Sequence, residues 1–189
     1  MATRFAALDD KHRAFIARQH IFFTASAAAD TRVNVSPRST DAFRVLGSNT
    51  VAYLDRTGSG NETAAHIFAG GRMTVMFCAF DGPPLILRIH GKGRVLHRGT
   101  ADYAALLADA FSGDEPRGAR QIVVVDTDLV VTSCGYGVPL FDYQHERPSM
   151  DNWASTKSDA ELAAYRQAKN RLSLDGLPTG LPEEEDAPG

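Results

Sequence analysis

Ser36-Pro37-Arg38-Ser39-Thr40 sets one guanidinium and three hydroxyls within five consecutive residues. Phosphate oxygens are held best by a planar bidentate cation supplemented by short hydroxyl donors, because charge-assisted hydrogen bonds are the strong ones. Pro37 restricts the backbone so that these donors can converge. Arg56 with Thr57, Ser59 and Asn61 repeats the chemistry one loop later, and Arg72 with Thr74 makes a third cluster. Gly58 and Gly60 allow close backbone approach to a ligand. One such cluster is an ordinary polar turn. Three of them, each at a strand end, point to a pocket for a phosphorylated cofactor built on a β-sheet. The chain has 20 basic and 23 acidic residues, net −3, so these arginines are not part of a generally basic surface.

Other candidate groups carry less. Glu62 and His66 are four apart, a spacing that shares a face only on a helix, and their flanks read as strand. The six histidines show no H-E-x-x-H or paired Cys/His spacing, so no metal site is expected. Cys134, in Thr-Ser-Cys-Gly-Tyr-Gly-Val-Pro, has no signature tying it to a histidine. Gly135 and Gly137 suit close approach to a flat ring, with Tyr136 stacking nearby. Trp153, the single tryptophan, either covers a cofactor or plugs the base of the last helix. No G-x-S-x-G, Walker A or G-x-G-x-x-G motif occurs, and no residue is assigned a catalytic acid or base role.

The elements that must position these groups are mostly strands. Phe5 to Gln19 carries apolar residues at helical spacing, and His20 to Ser26 reads as a buried strand. Asp30-Thr31 turns the chain into Arg32-Val-Asn-Val-Ser, whose continuation Pro37 restricts to a sheet edge or a turn. Phe43–Leu46, Thr50–Leu54, Met73–Phe80, Leu85–His90 and Arg94–His97 are further strands, with Gly91 and Gly93 interrupting the last two as glycines do at bulges. Thr100 to Phe111 is the clearest helix, N-capped by Thr100. Gln121 to Ser133 is a strand pair or one bent strand. A final helix starts at the capping box Ser158/Glu161. Strands this closely spaced leave no room for crossover helices, so the sheet is expected to be antiparallel, as a closed or split β-barrel with helices only at the start, late in the chain and at its end.

The length of 189 residues and 43% hydrophobic content suit one globular domain. Residues 1–178 form that domain in this reading, with disorder expected from Leu177 onward and 179–189 as a flexible acidic tail. Two isolated cysteines favour a reducing cytoplasm over a disulfide framework. The opening residues lack a signal-peptide core, and no segment approaches the roughly 20 apolar residues that span a bilayer. Neither membrane nor nucleic acid is an expected partner.

Taken in order, V-N-V-S-P-R, Y-L-D-R-T-G-S-G-N-E-T, G-R-M-T-V-M-F-C-A-F, L-R-I-H-G-K-G, T-S-C-G-Y-G-V-P and K-N-R-L-S-L-D-G-L-P resemble the pyridoxamine 5'-phosphate oxidase-related FMN-binding split barrels, over residues 12 to 178. The resemblance implies a mainly β fold, a six-stranded antiparallel split barrel with flanking helices, that forms a homodimer with FMN in clefts between subunits. It implies cofactor contacts from Ser36, Pro37, Arg38, Thr40, Arg56, Ser59, Asn61, Arg72 and Thr74, with Cys134, Gly135, Tyr136, Gly137 and Trp153 near the ring or the dimer seam. The activity implied is an FMN-dependent oxidoreductase acting on a small-molecule substrate or electron donor. A deazaflavin-dependent reductase and a non-catalytic flavin- or haem-binding module are the alternatives. The chain departs from true pyridoxamine-phosphate oxidases at its end, where Leu-Pro-Thr-Gly-Leu-Pro-Glu-Glu-Glu replaces their basic, substrate-binding segment.

Overall fold

The computed structural model describes residues 2–183. Eight strands form one antiparallel sheet: β1 (Thr3–Phe5), β2 (Ile21–Ala27), β3 (Asn34–Ser39), β4 (Phe43–Val45), β5 (Thr50–Arg56), β6 (Arg72–Cys78), β7 (Ile86–His97) and β8 (Ala119–Ser133). Their order is β3-β2-β6-β7-β8-β5-β4, and β1 adds to β8. Six strands are long and two have three residues, so the expected six-stranded barrel is present with two short additions. Five helices flank it: α1 (Asp10–Ile16), α2 (Glu62–Phe68), α3 (Ala101–Ala110), α4 (Ser149–Ser155) and α5 (Asp159–Lys169).

The sheet curls around an aromatic centre. Phe22 packs against Phe43, Tyr53 and Phe77, with ring centroids 5.0 to 5.7 Å apart, joined by Val75, Ile89, Val123 and Val125. β5 and the first half of β8 are buried on both faces. Val51 and Tyr53 point into the barrel, while Ala52, Leu54, Ile122 and Val124 meet Tyr103 and Phe111 beside α3. Burial on both sides explains why V-A-Y-L and I-V-V-V read as continuous apolar runs without alternation.

Local signals act as their chemistry dictates. Thr100 Oγ1 accepts from Tyr103 N, and Ser158 with Glu161 closes a capping box on α5. Pro37 lies in β3, which pairs with β2 alone, at the sheet edge. β7 runs unbroken through Gly91 and Gly93; the interruption is a bulge, at which Asp128 is the extra residue of β8. A Cβ on Gly91 would stand 2.2 Å from Asp126 O. Gly91→Ala is therefore expected to cost about 1–3 kcal/mol, measured as a lower urea midpoint; an unchanged midpoint would show that the bulge yields freely.

Three expectations need correction. Residues 62–68 are helical, not strand-like, so a helix also lies between β5 and β6; Glu62 and Thr63 at its start line the polar groove described below. Phe5 belongs to β1 rather than to α1, because its backbone pairs with Val130. The packed chain also extends past Leu177: Thr179 donates to Asn170 O, at the end of α5, at 2.8 Å, and Leu181, whose N–H donates to Thr179 Oγ1, is buried. The remainder of the expected tail, residues 184–189, lies outside the described residues. Among the described residues no helix is long and apolar enough to cross a membrane.

Candidate functional site

β3 alternates, and its polar residues face inward. Ser36 and Arg38 stand opposite Thr24 and Phe22 of β2, both buried. Arg38 runs beneath the edge of the barrel, 4.7 Å over the Tyr53 ring, and pairs with the buried carboxylate of Asp55. Asp55 also accepts from Arg120 Nε at 2.9 Å and from Gln121 Nε2 at 2.8 Å. Gln121 Nε2 lies 2.7 Å from Asn61 Oδ1 as well, and Arg120 donates to Gly60 O at 2.8 Å. One carboxylate thus ties β3, the start of β8 and the Gly58–Asn61 loop together. Burial pushes the Asp55 carboxyl up, but the Arg120 and Arg38 charges with the Arg120 and Gln121 bonds outweigh it and hold it below the ordinary range.

Arg38, Asp55, Arg120 and the Gly58–Asn61 loop line a groove of about 470 Å³ with Asn34, Ser36, Pro37, Arg56 and Thr63. Asn34 Nδ2 contacts Ser36 Oγ and Thr63 Oγ1 at 3.4 and 3.3 Å. Arg56 donates to Arg117 O at 2.8 Å and pairs with Asp151 at 2.7 Å. Its Nε is buried with no hydrogen-bond partner. The lining of one groove thus combines a guanidinium with an unpartnered N–H, several hydroxyls and Asn amides, the donor types a phosphate takes up, so the residues present fit the phosphate of a nucleotide-type cofactor.

Six expected site residues therefore meet: Ser36, Pro37, Arg38, Arg56, Ser59 and Asn61. Others lie elsewhere. Thr40 spends its hydroxyl on Gln19 O at 2.6 Å. Arg72 and Thr74 do not line the groove, because Met73, Val75 and Phe77 take the inward positions of β6. Arg72 pairs with Asp128, and Thr74 bonds His90 Nδ1 at 2.9 Å. Cys134 and Tyr136 are exposed, Gly135 backs onto Leu85, and Gly137 has open space around it. Trp153 packs edge-on to Tyr165 at 5.3 Å, while Met150 of the same helix lines the groove. Glu62 and His66 diverge: Glu62 accepts Leu174 N at 3.0 Å, and His66 Nδ1 meets Ser26 Oγ at 3.0 Å.

Asp55, Arg120, Gln121 and Thr63 were not singled out by sequence. The available signal was Asp55 itself, a carboxylate with inward parity in an otherwise apolar strand, which demands a cationic partner.

Residues 8–134 match the family described as Pyridoxamine 5'-phosphate oxidase. The Aspergillus flavus protein ustO, a pyridoxamine 5'-phosphate oxidase family protein, is 37% identical over 190 aligned positions, covering 92% of this chain and 76% of its own. A candidate pyridoxamine 5'-phosphate oxidase from Lactobacillus delbrueckii superposes with a TM-score of 0.51 at 18% identity, over 67% of this chain and 94% of that one. HupZ of Group A Streptococcus does so with a TM-score of 0.51 at 17% identity, over 65% and 91%. The two crystal structures establish the shared barrel, and the matched residues with the fungal relative establish kinship: the chain belongs to the pyridoxamine 5'-phosphate oxidase family.

Proposed function

We propose that the protein is an FMN-binding oxidoreductase whose groove between β3, the end of β5 and the start of β8 takes the cofactor phosphate. The observation that carries this reading is the convergence of Ser36, Arg38, Arg56 and Asn61 on one groove, with Arg56 Nε buried and unpartnered. Family membership supports flavin over other phosphorylated ligands. FMN supplies hydride or electron transfer when bound; the protein supplies orientation and charge. Arg56 and Ser36 would bind the phosphate. Arg38, fixed by Asp55, would set the electrostatic field at the groove floor.

A homodimer is part of the proposal. Val35 is 60% exposed, and its neighbours Phe23, Ala25 and Met76 share its outward parity across β3, β2 and β6. This face suits a second copy, with Arg72, Thr74 and the Cys134–Gly137 turn near the seam.

The test is a flavin titration. Purified protein incubated with FMN is expected to hold it through gel filtration and show the two-banded visible spectrum of a bound flavin. Protein that neither retains FMN nor quenches its fluorescence would end the reading. Turnover is tested by anaerobic reduction of the bound flavin with NADH or NADPH, faster than free FMN. Arg56→Ala is expected to weaken FMN binding by about 1.5–3 kcal/mol, on the order of 10- to 100-fold. An unchanged Kd would remove Arg56 from the site.

A further inference from the structure

Residues 169–178, the K-N-R-L-S-L-D-G-L-P run, lead from the last residue of α5 into a strap alongside the groove, with Leu174 on its lining. The strap is fastened to both sides. Asp175 accepts from Arg32 N at 2.8 Å just ahead of β3, and Glu62, the first residue of α2, accepts from Leu174 N at 3.0 Å. The remaining fastening is Asn170, which is fully buried. Asn170 Nδ2 donates to Gly58 O at 2.9 Å, and its main-chain oxygen accepts from Asn61 Nδ2 at 3.3 Å and from Thr179 Oγ1 at 2.8 Å. One residue therefore grips both ends of the Gly58–Asn61 loop. Only this setting of the Asn170 amide avoids bringing two oxygens face to face, and it leaves Oδ1 buried without a donor.

The bond to Gly58 O fixes the direction of a whole peptide unit. The Gly58–Ser59 peptide is trans and planar, so its oxygen and its N–H point to opposite sides. Gly58 and Ser59 line the groove, whereas Asn170 does not. With Gly58 O turned back to Asn170, Ser59 N–H is turned away from it, to the groove side of the loop. That N–H meets no acceptor among the described residues. Nothing local imposes this direction: Gly58 has no Cβ to hinder rotation, and a Cβ placed there would meet only Arg56 O, at 4.0 Å. Turned over, the same peptide would show its carbonyl oxygen to an anion. An N–H in the groove holds a phosphate oxygen by a charge-assisted bond, and a C=O there repels it. We propose that Asn170 is a positioning residue, a latch that keeps Ser59 N–H facing the groove as a phosphate donor. The inference rests on the reading of the groove as a phosphate site and does not require that a flavin carry the phosphate.

The test compares FMN with riboflavin, the same molecule without its phosphate, by fluorescence quenching. Asn170→Ala is expected to lower FMN affinity about tenfold and to leave riboflavin affinity within about twofold, since the bond at stake is one made to a charged group. Asn170→Asp is expected to lower FMN affinity further, because a carboxylate only accepts: it repels Gly58 O and draws Ser59 N–H out of the groove. Loss of FMN and riboflavin affinity by equal factors would show that Asn170 only supports the fold and would overturn the inference, as would an unchanged FMN preference in Asn170→Ala. A second measurement needs no substitution. Titrating isotope-labelled parent protein with inorganic phosphate, followed by amide NMR, is expected to move the Ser59 amide proton downfield. A Ser59 amide that moves with neither phosphate nor FMN overturns the inference, and leaves the flavin reading intact where FMN is still retained. A downfield Ser59 shift with phosphate, in a protein that never takes up FMN, would sink the flavin reading and leave the latch standing.

Discussion

Replacing Asp55 by Ala is expected to cost about 3–5 kcal/mol of folding stability, because it leaves two guanidinium groups without their shared buried counter-ion. The Asp55 side chain is 2% exposed and that of Arg120 5%, so water cannot take the carboxylate's place. Arg38 and Arg120 would then repel each other, and Gln121 Nε2 would keep Asn61 alone as acceptor. Chemical denaturation monitored by Trp153 fluorescence measures the loss, and a midpoint equal to the parent's would contradict it. The pH dependence has a fixed sign. The carboxyl is held below its ordinary value in the fold, so its contribution is complete above the unfolded value of about 3.9 and fades as pH falls below it. Asp55→Asn should therefore flatten the acid limb of the stability curve and leave its alkaline limb unchanged.

Replacing Arg38 by Ala is expected to weaken FMN binding by about 2–5 kcal/mol, more than any other single change in the groove. Two effects add. The groove loses a cation, and Asp55 keeps only the Arg120 guanidinium, so negative charge faces the phosphate. Arg38→Lys should recover little of the loss, since an ammonium cannot bond Asp55 and Thr24 together while lying over the Tyr53 ring. Fluorescence quenching of FMN against both variants decides the matter. Equal Kd values for Arg38→Ala and the parent would take Arg38 out of the proposed site, whereas rescue by Lys would reduce its role to charge alone.

The groove was half legible in the sequence. Ser36, Arg38, Arg56 and Asn61 announced themselves because polar residues cluster there beside turn signals in a net acidic chain. Arg72 and Thr74 show the same chemistry but fall on the other parity of β6, which the apolar Met73, Val75 and Phe77 had already defined; alternation outranks composition in a strand. Arg120 and Gln121 stayed hidden because their relevance depends on which strand lies beside β5. That pairing spans more than sixty positions, Leu54 against Ile122, and no local pattern encodes it. The helix at 62–68 is hidden in the sequence because Thr63 and Ile67 are β-branched and Asn61 makes no side-chain cap, whereas Thr100 and Ser158 mark their helices by capping them.

The strand β8 holds the barrel together: its fifteen residues pair with β1 on the earliest part of the chain, with β5 and with β7. During synthesis the chain up to residue 118 therefore emerges with β5 and β7 both lacking a neighbour, their backbone donors and acceptors open to other chains. Closure waits for one late segment to thread between strands already made, the kind of non-local pairing that folds slowly and exposes sticky edges meanwhile. Truncations before residue 133 should thus yield aggregates rather than a smaller barrel.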